Sequence, residues 1–415
     1  MTQKRIGFEV QPTREIDMDT LEKGMTDSDT AATVEALNAK WRNYLNQAMN
    51  LDPDTFQLAQ GCLGLQSSDN MGLFLMADAV PPDSAVGFYD ANSMKRRSSA
   101  YGMLLGALLP ETGAAVLQTA LGNYYTPWIQ WSATNPVVAG DTVQSRLDRF
   151  GMAQAVDPGT IARAKTAALQ AANSPLYLAL NAFADPSQQQ SFSRPGQAAP
   201  TKLYIYSNTV DVATMAINNG SSVALNFDSD TASSDVSHTF AEGAASGFYS
   251  IFSGGVSGTF DQLNSKAASS GFTITGNIGK FATVPVGAMG WYSSAEVSRA
   301  FNGPNDNSIW DPSSSAGTFD SFFGQPDGSL ARYVSELILV SDYTITVTSK
   351  ATYSQEDAQT ITTKAEGGIW PFFSVSASAT HSTSVKLNAN SQLETTFTLN
   401  KGLIQIWGVN VQEQD

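Results

Sequence analysis

Large apolar residues recur at spacings of three and four through the first half of the chain, and at every second position through much of the second half. Val34, Leu37, Trp41, Tyr44, Leu45 and Met49 form one helical stripe, opened by the capping side chains of Asp27 to Thr30. Tyr101, Met103, Leu104, Leu105, Leu108 and Leu109 predict a second helix over 98–109, closed by Pro110. A third is predicted over 112–121, and a fourth opens at Asp157-Pro158 and carries Ile161, Ala164, Ala168 and Leu169. Downstream the period changes. Tyr343, Ile345 and Val347 alternate with Thr344, Thr346 and Thr348, the pattern of a half-buried strand. The alternation returns over 373–387 and again at Leu393, Phe397 and Leu399, and Asn400-Lys401-Gly402 reads as a turn into a strand over 403–411. Ser293 and Glu296 predict a capping box ahead of Val297 and Phe301, and Asn219-Gly220 predicts a turn.

Between the two textures, residues 187–200 (SQQQSFSRPGQAAP) have the composition of a linker. The expected architecture is therefore α+β and two-domain. A helical N-terminal domain, 1–186, precedes a Ser/Thr-rich antiparallel, β-sandwich-like C-terminal domain, 201–415.

Composition removes several classes of function. With 38 acidic against 23 basic residues the chain carries −15, which argues against binding nucleic acid by phosphate neutralisation. One cysteine, Cys62, rules out an internal disulfide framework, and two histidines cannot complete a three-histidine metal centre. The first twenty residues hold no apolar signal core, and no uncharged apolar run reaches the length of a membrane-spanning helix. The expectation is synthesis in the cytoplasm without a secretory signal, with release by lysis or a dedicated export machine.

Catalytic motifs are missing. The chain has no nucleophile elbow, phosphate loop, dinucleotide fingerprint or H-E-x-x-H. Asp235-Val236-Ser237-His238 sets acid, hydroxyl and imidazole side by side, but a triad is defined by geometry and not by adjacency. His381 falls within an alternating Ser/Thr strand. These absences weigh against an enzyme, and no catalytic residue, metal or cofactor is expected. Asp52 with Asp54, Asp228 with Asp230, and Asn305-Asp306-Asn307 offer oxygen ligands of the calcium type, and all fit turn chemistry equally well. Lys95-Arg96-Arg97 is the one basic cluster.

Two segments carry the functional expectation. Residues 243–260, GAASGFYSIFSGGVSGTF, are uncharged and, from Phe252 onward, put Phe252, Val256 and Phe260 on one strand face. Together with 373–387 they give Phe248, Tyr249, Ile251, Phe252, Val256, Phe260, Phe373 and Val375 as candidate contacts with a membrane or a neighbouring subunit. The second segment, Gly122 to Trp131, gathers Tyr124, Tyr125, Trp128 and Trp131, which suit either stacking on a glycan or filling a joint between helices. A helical half, a linker and a Ser/Thr-rich β half together are similar in texture to pore-forming and insecticidal bacterial toxins; no diagnostic motif underlies the similarity, and no residue roles are carried over from it. The expected function is a non-enzymatic homo-oligomer acting at membranes, with lipid or glycan as partner. The alternative is a self-assembling or glycan- or ligand-binding β protein without membrane activity.

Overall fold

The computed structural model describes residues 28–60, 64–65, 69–88, 95–109, 115–138, 141–171, 174–193, 199–234, 266, 270–304, 306–312, 314–364, 381–399 and 402–414. The described elements are α1 (Ser28–Met49), β1 (Phe56–Gln60), β2 (Gly64–Leu65), α2 (Met71–Ala77), β3 (Val86–Phe88), α3 (Arg97–Ala107), α4 (Ala115–Leu121), α5 (Tyr125–Thr134), α6 (Val143–Ala153), α7 (Pro158–Ala171) and α8 (Pro175–Ala184). Then follow β4 (Gln189–Phe192), β5 (Thr201–Tyr204), α9 (Val210–Asn218), β6 (Ser221–Asp228), β7 (Phe272–Pro285), α10 (Ser294–Phe301), α11 (Phe319–Phe323), β8 (Arg332–Thr352), α12 (Gln355–Lys364), β9 (His381–Leu387), β10 (Gln392–Leu399) and β11 (Ile404–Glu413). The class is α+β with a mixed sheet: nine strands form one sheet, parallel between β1 and β3 and otherwise antiparallel, and β4 pairs with β5 in a separate ribbon.

The long strand β8 is the spine. Along one edge it pairs with β7 from Glu336 to Ser349. Along the other, β11 takes residues 332–341 and β10 takes 344–352, so that two successive strands share one edge. Its alternation explains why both faces are buried near its start. Leu337 and Leu339 enter one core, with α2, α3 and Trp291, while Ile338 and Val340 enter another, with α1 and Trp407; Val334 joins the first core across a register shift at Ser335. At Asp342, with φ +53°, the phase slips by one residue, and Tyr343, Ile345 and Val347 take over the second core. Further along β7, Gly276 faces Ile345, with φ +149°, and a Cβ there would lie 2.2 Å from the Thr344 carbonyl oxygen. Only glycine lets the two backbones meet so closely.

The described residues depart from the expected architecture in three places. The first half is not a separate helical domain: β1 pairs with β11, β2 with β11 and β3 with β1, so residues 56–88 belong to the sheet built by the second half. These strands are two to five residues long, too short for a period-two pattern to stand out. Nor is 187–200 only a linker. Gln189–Phe192 is a strand, and Phe192 is buried against Phe74. A sandwich was expected, and among the described residues no second large sheet faces the first.

The helical stripe of α1 packs as its spacing predicts, with Leu37, Trp41, Leu45 and Met49 buried. Each such side chain removed from water contributes about 1.5–3 kcal/mol. Trp41 stands between Phe227 of β6 (5.4 Å) and Trp407 of β11 (6.3 Å), so α1 braces the sheet from the β6 edge across to β11. Arg42 fastens it to the β1 end, donating to the Phe56 and Pro53 carbonyls, and burial pushes its guanidinium down to about 10 against the pull of Asp54 and Asp52. Helices α4 to α7 form a third core of their own around Leu147, Phe150 and Trp128.

Candidate functional site

The end of the sheet where β6 stops and β7 starts is the best-defined polar cluster at its surface. Asp228 and Thr273 face each other across the ladder, and the Ser229 amide donates to the Phe272 carbonyl at 3.0 Å. The two strand ends are close enough for a two-residue turn, yet the chain between them runs through residues 229–271. Gly271, with φ +74°, begins the return, and a Cβ there would lie 2.6 Å from Ser229 Oγ, which itself accepts the Phe272 amide at 2.9 Å.

Four cationic or polar side chains close this point from two elements, β8 and α1. Lys350 of β8 donates to Asp228 Oδ1 at 2.5 Å and to Asp230 Oδ2 at 2.6 Å. That lysine hydrogen bond holds the Asp228 carboxyl below the usual range, helped by the Asp230 amide. Burial pulls the Lys350 ammonium down, but the two carboxylates outweigh it and hold the group above its ordinary value. From α1, Lys40 donates to the Ser229 carbonyl at 2.6 Å and Asn43 to the Ser233 carbonyl at 3.1 Å. Tyr44 Oη accepts the amide of Asn226, on β6 itself, at 2.5 Å. Positions 40, 43 and 44 share one helical face, so α1 turns its apolar stripe to the core and this polar one to β6.

The acidic pairs singled out as calcium ligands are turn and ion-pair groups here. Lys350 occupies the position between Asp228 and Asp230. Asp52 accepts the Asp54 amide, and Asp306 accepts both the amide and hydroxyl of Ser308. Among the described residues no group of three or more His, Cys, Asp or Glu side chains could hold a metal ion. No described helix is long and apolar enough to cross a membrane.

The other expected residues fall as follows. Phe248, Tyr249, Ile251, Phe252, Val256, Phe260, Phe373 and Val375 lie outside the described residues, as do Cys62 and His238. His381 opens β9 opposite Leu399. Tyr125 and Trp128 are buried in the α4–α7 core, where Trp128 stacks on Trp131 at 5.8 Å and meets Phe150 edge-on. Buried rings have no face to offer a sugar, so of the four only half-buried Trp131 and exposed Tyr124 remain available. Arg96 and Arg97 sit at the start of α3, and Arg97 is buried with its guanidinium over the rings of Tyr292 (4.6 Å) and Tyr333 (4.4 Å), not on a basic surface.

Two arrangements were not visible in the sequence. The first is a buried carboxylate: Asp78 accepts from the Ser98 amide and hydroxyl, both at 2.7 Å, and from Tyr206 Oη at 2.8 Å. Burial pushes its carboxyl up, although the Ser98 and Tyr206 hydrogen bonds and Arg96 oppose the rise. The second is the outer face of the sheet. Asn226, Thr275, Thr346, Thr396 and Ser384 form one cross-strand row, and Ala224, Asn277, Thr344, Thr398 and Ser382 the next. Thr346 and Thr396 hydrogen-bond across strands at 2.8 Å. Both rows are uncharged.

Comparison with known proteins gives no match: no family model, no curated protein and no solved structure is similar to this chain.

Proposed function

We infer that the protein is non-enzymatic, associates with copies of itself and acts at membranes, as pore-forming and insecticidal-type toxins do. One observation supports this most: two adjacent antiparallel strands whose facing ends need only a tight turn are joined instead by residues 229–271. That sequence contains the uncharged alternating stretch 243–260. A hairpin lengthened in register from β6 and β7 could carry apolar side chains on one face and Ser, Thr and Gly on the other, which is what a strand at a bilayer requires. The Lys350–Asp228–Asp230 cluster and the α1 contacts then fix the base of such a hairpin to the body.

The test uses the single native cysteine. With Cys62→Ala as background, an environment-sensitive dye is attached in turn to cysteines placed at positions 252 to 260, and liposomes are added. Emission that rises for Phe252, Val256 and Phe260 and stays low for Ser253, Ser257 and Thr259, together with release of a trapped dye, is the expected result. Unchanged emission at every position and intact vesicles would overturn the membrane reading.

The outer face favours a second reading, an assembly or ligand-binding β protein without membrane activity. Its uncharged hydroxyl rows span five strands and suit a polar partner such as a glycan. Retention on a glycan surface that is lost in Thr346→Val/Thr396→Val, with vesicles left intact, would favour it.

A further inference from the structure

Residues 115–171, which contain α4 to α7, differ electrostatically from the rest of the chain. They carry Arg146, Arg149, Arg163 and Lys165 against Asp141, Asp148 and Asp157, a small positive surplus in a protein of net charge −15. Between α6 and α7 lies an open groove of about 520 Å³, lined by Met152, Val156, Pro158 and Ile161 and by Lys165, which pairs with Asp148 of the same lining at 2.8 Å. Gly151 also lines it: a Cβ there would lie 2.7 Å from Ile161 Cγ1, so the two helices meet closely at that point. On the rim, Met152 is 77% exposed, more than any other large apolar side chain among the described residues. The next most exposed is Met215, at 67%, on α9. Val212 lies one turn before it on the same helical face, also exposed, and Asp211 lies four positions before it. The groove and this ridge are both open to solvent, so neither covers the other within one molecule.

We propose that the α9 ridge of one copy seats in the α6–α7 groove of a second copy. Met215 and Val212 enter between Met152 and Ile161, and Asp211 comes to the side of Arg163. The argument is twofold. Each feature leaves apolar surface exposed that the other can bury, and the acidic end of the ridge meets the exposed Arg163 beside the groove. Ridge and groove are different surfaces, so the contact is heterologous. Every copy added leaves one ridge and one groove free, and assembly proceeds to a ring or a filament. This rests on the self-association part of the function proposed above and does not require the membrane part.

The test is sedimentation velocity on the full chain from about 1 to 100 μM, a range that brackets weak contacts of this size. Concentration-dependent association is expected of the native sequence. Met152→Glu and Met215→Glu place a charge where it would be buried unpaired, and each alone weakens association by about tenfold or more. Both residues are exposed in the monomer, so circular dichroism and melting temperature remain those of the native chain. The decisive sample is the mixture. One variant keeps its ridge and the other its groove, so together they form a one-to-one dimer and nothing larger. A native chain that stays monomeric throughout, single variants that assemble like the native chain, or a mixture that remains monomeric would each overturn the proposal. Release of dye from vesicles by a monomer rejects this contact and leaves the membrane reading standing; assembly of the predicted kind without any release does the reverse.

Discussion

The buried carboxylate of Asp78 gives a prediction whose sign and size both follow from its three donors. In Asp78→Asn, Oδ1 keeps the Ser98 amide and Tyr206 hydroxyl, because both donate to that oxygen. The new Nδ2 replaces Oδ2 opposite Ser98 Oγ, and the hydroxyl turns from donor to acceptor. The network survives, and the buried charge is gone. Asp78→Ala leaves all three donors without an acceptor, at about 1–3 kcal/mol each, so a loss of roughly 4 kcal/mol or more is expected. The asparagine variant should stay within about 1 kcal/mol of the native chain near pH 4. Its pH dependence is the sharper test. Burial raises the native carboxyl above its unfolded value, so the folded state binds the proton more tightly. Stability from this group is then greatest below the unfolded value of about 3.9 and declines as pH rises through the folded value. The carboxamide introduced by Asp78→Asn does not titrate, so the variant gains on the native chain as pH rises, by about 1.4 kcal/mol for every tenfold difference in proton affinity. Urea unfolding between about pH 4 and pH 8, followed by tryptophan fluorescence with Trp291 lying 5.5 Å from Tyr206, measures this. A difference that is flat with pH, or that runs in favour of the native chain as pH rises, would refute the reasoning, as would an asparagine variant as unstable as the alanine one.

Three further outcomes are expected. Trp41→Ala should cost about 3–5 kcal/mol in chemical denaturation, because it empties the space between Phe227 and Trp407; a cost below about 1 kcal/mol would mean that α1 does not brace the sheet. Gly276→Ala should cost more than about 2 kcal/mol, since its Cβ has no room beside the Thr344 carbonyl and φ is +149°; equal stability by the same assay would show that β7 can shift. Lys350→Met should raise the Asp228 carboxyl toward the ordinary range in an NMR titration, with the Asp230 amide still holding it down in part, so that most of the stability the lowered value supplies, normally lost as pH falls through it, is absent; the effect on overall stability should be small because the cluster is partly solvated.

Much of the fold was legible where side chains repeat over long elements. The α1 stripe, strand β10 and the second half of β8 follow their hydrophobic period closely, α7 starts at Pro158 as expected, and β11 occupies the expected stretch but is buried on both faces. The Ser293–Glu296 box is half present: Ser293 Oγ accepts the Glu296 amide, but Glu296 turns to Arg299, and the Ser293 amide donates to Tyr101 instead. What escaped the sequence was decided by partners distant in the chain. The FQLAQ of β1 is a strand because β11 lies beside it, and Gln57 is buried because its amide reaches the Pro82 and Ser84 carbonyls. The pairs Asp228–Asp230 and Lys95–Arg96–Arg97 were visible as charges. Lys350, more than a hundred residues away, and the rings of Tyr292 and Tyr333 decide what those charges do. No local pattern encodes such meetings.

The slip at Asp342 also constrains how this chain can change length. Because one strand feeds two cores in opposite phase, its two halves are read in different frames, with the slip as the point where one frame hands over to the other. Loss of a single residue from β8 between 343 and 349 would turn Ile345 and Val347 outward and bring Thr344, Thr346 and Thr348 into the core. Loss of two adjacent residues there would shorten the strand and keep the faces. Insertions and deletions should therefore be tolerated on this strand in pairs. A single residue can be spent or recovered where the strand is already irregular, at the handover beside Asp342 and at Ser335, where the register to β11 shifts, so a library of single-codon deletions along β8 should show its survivors clustered at those two points.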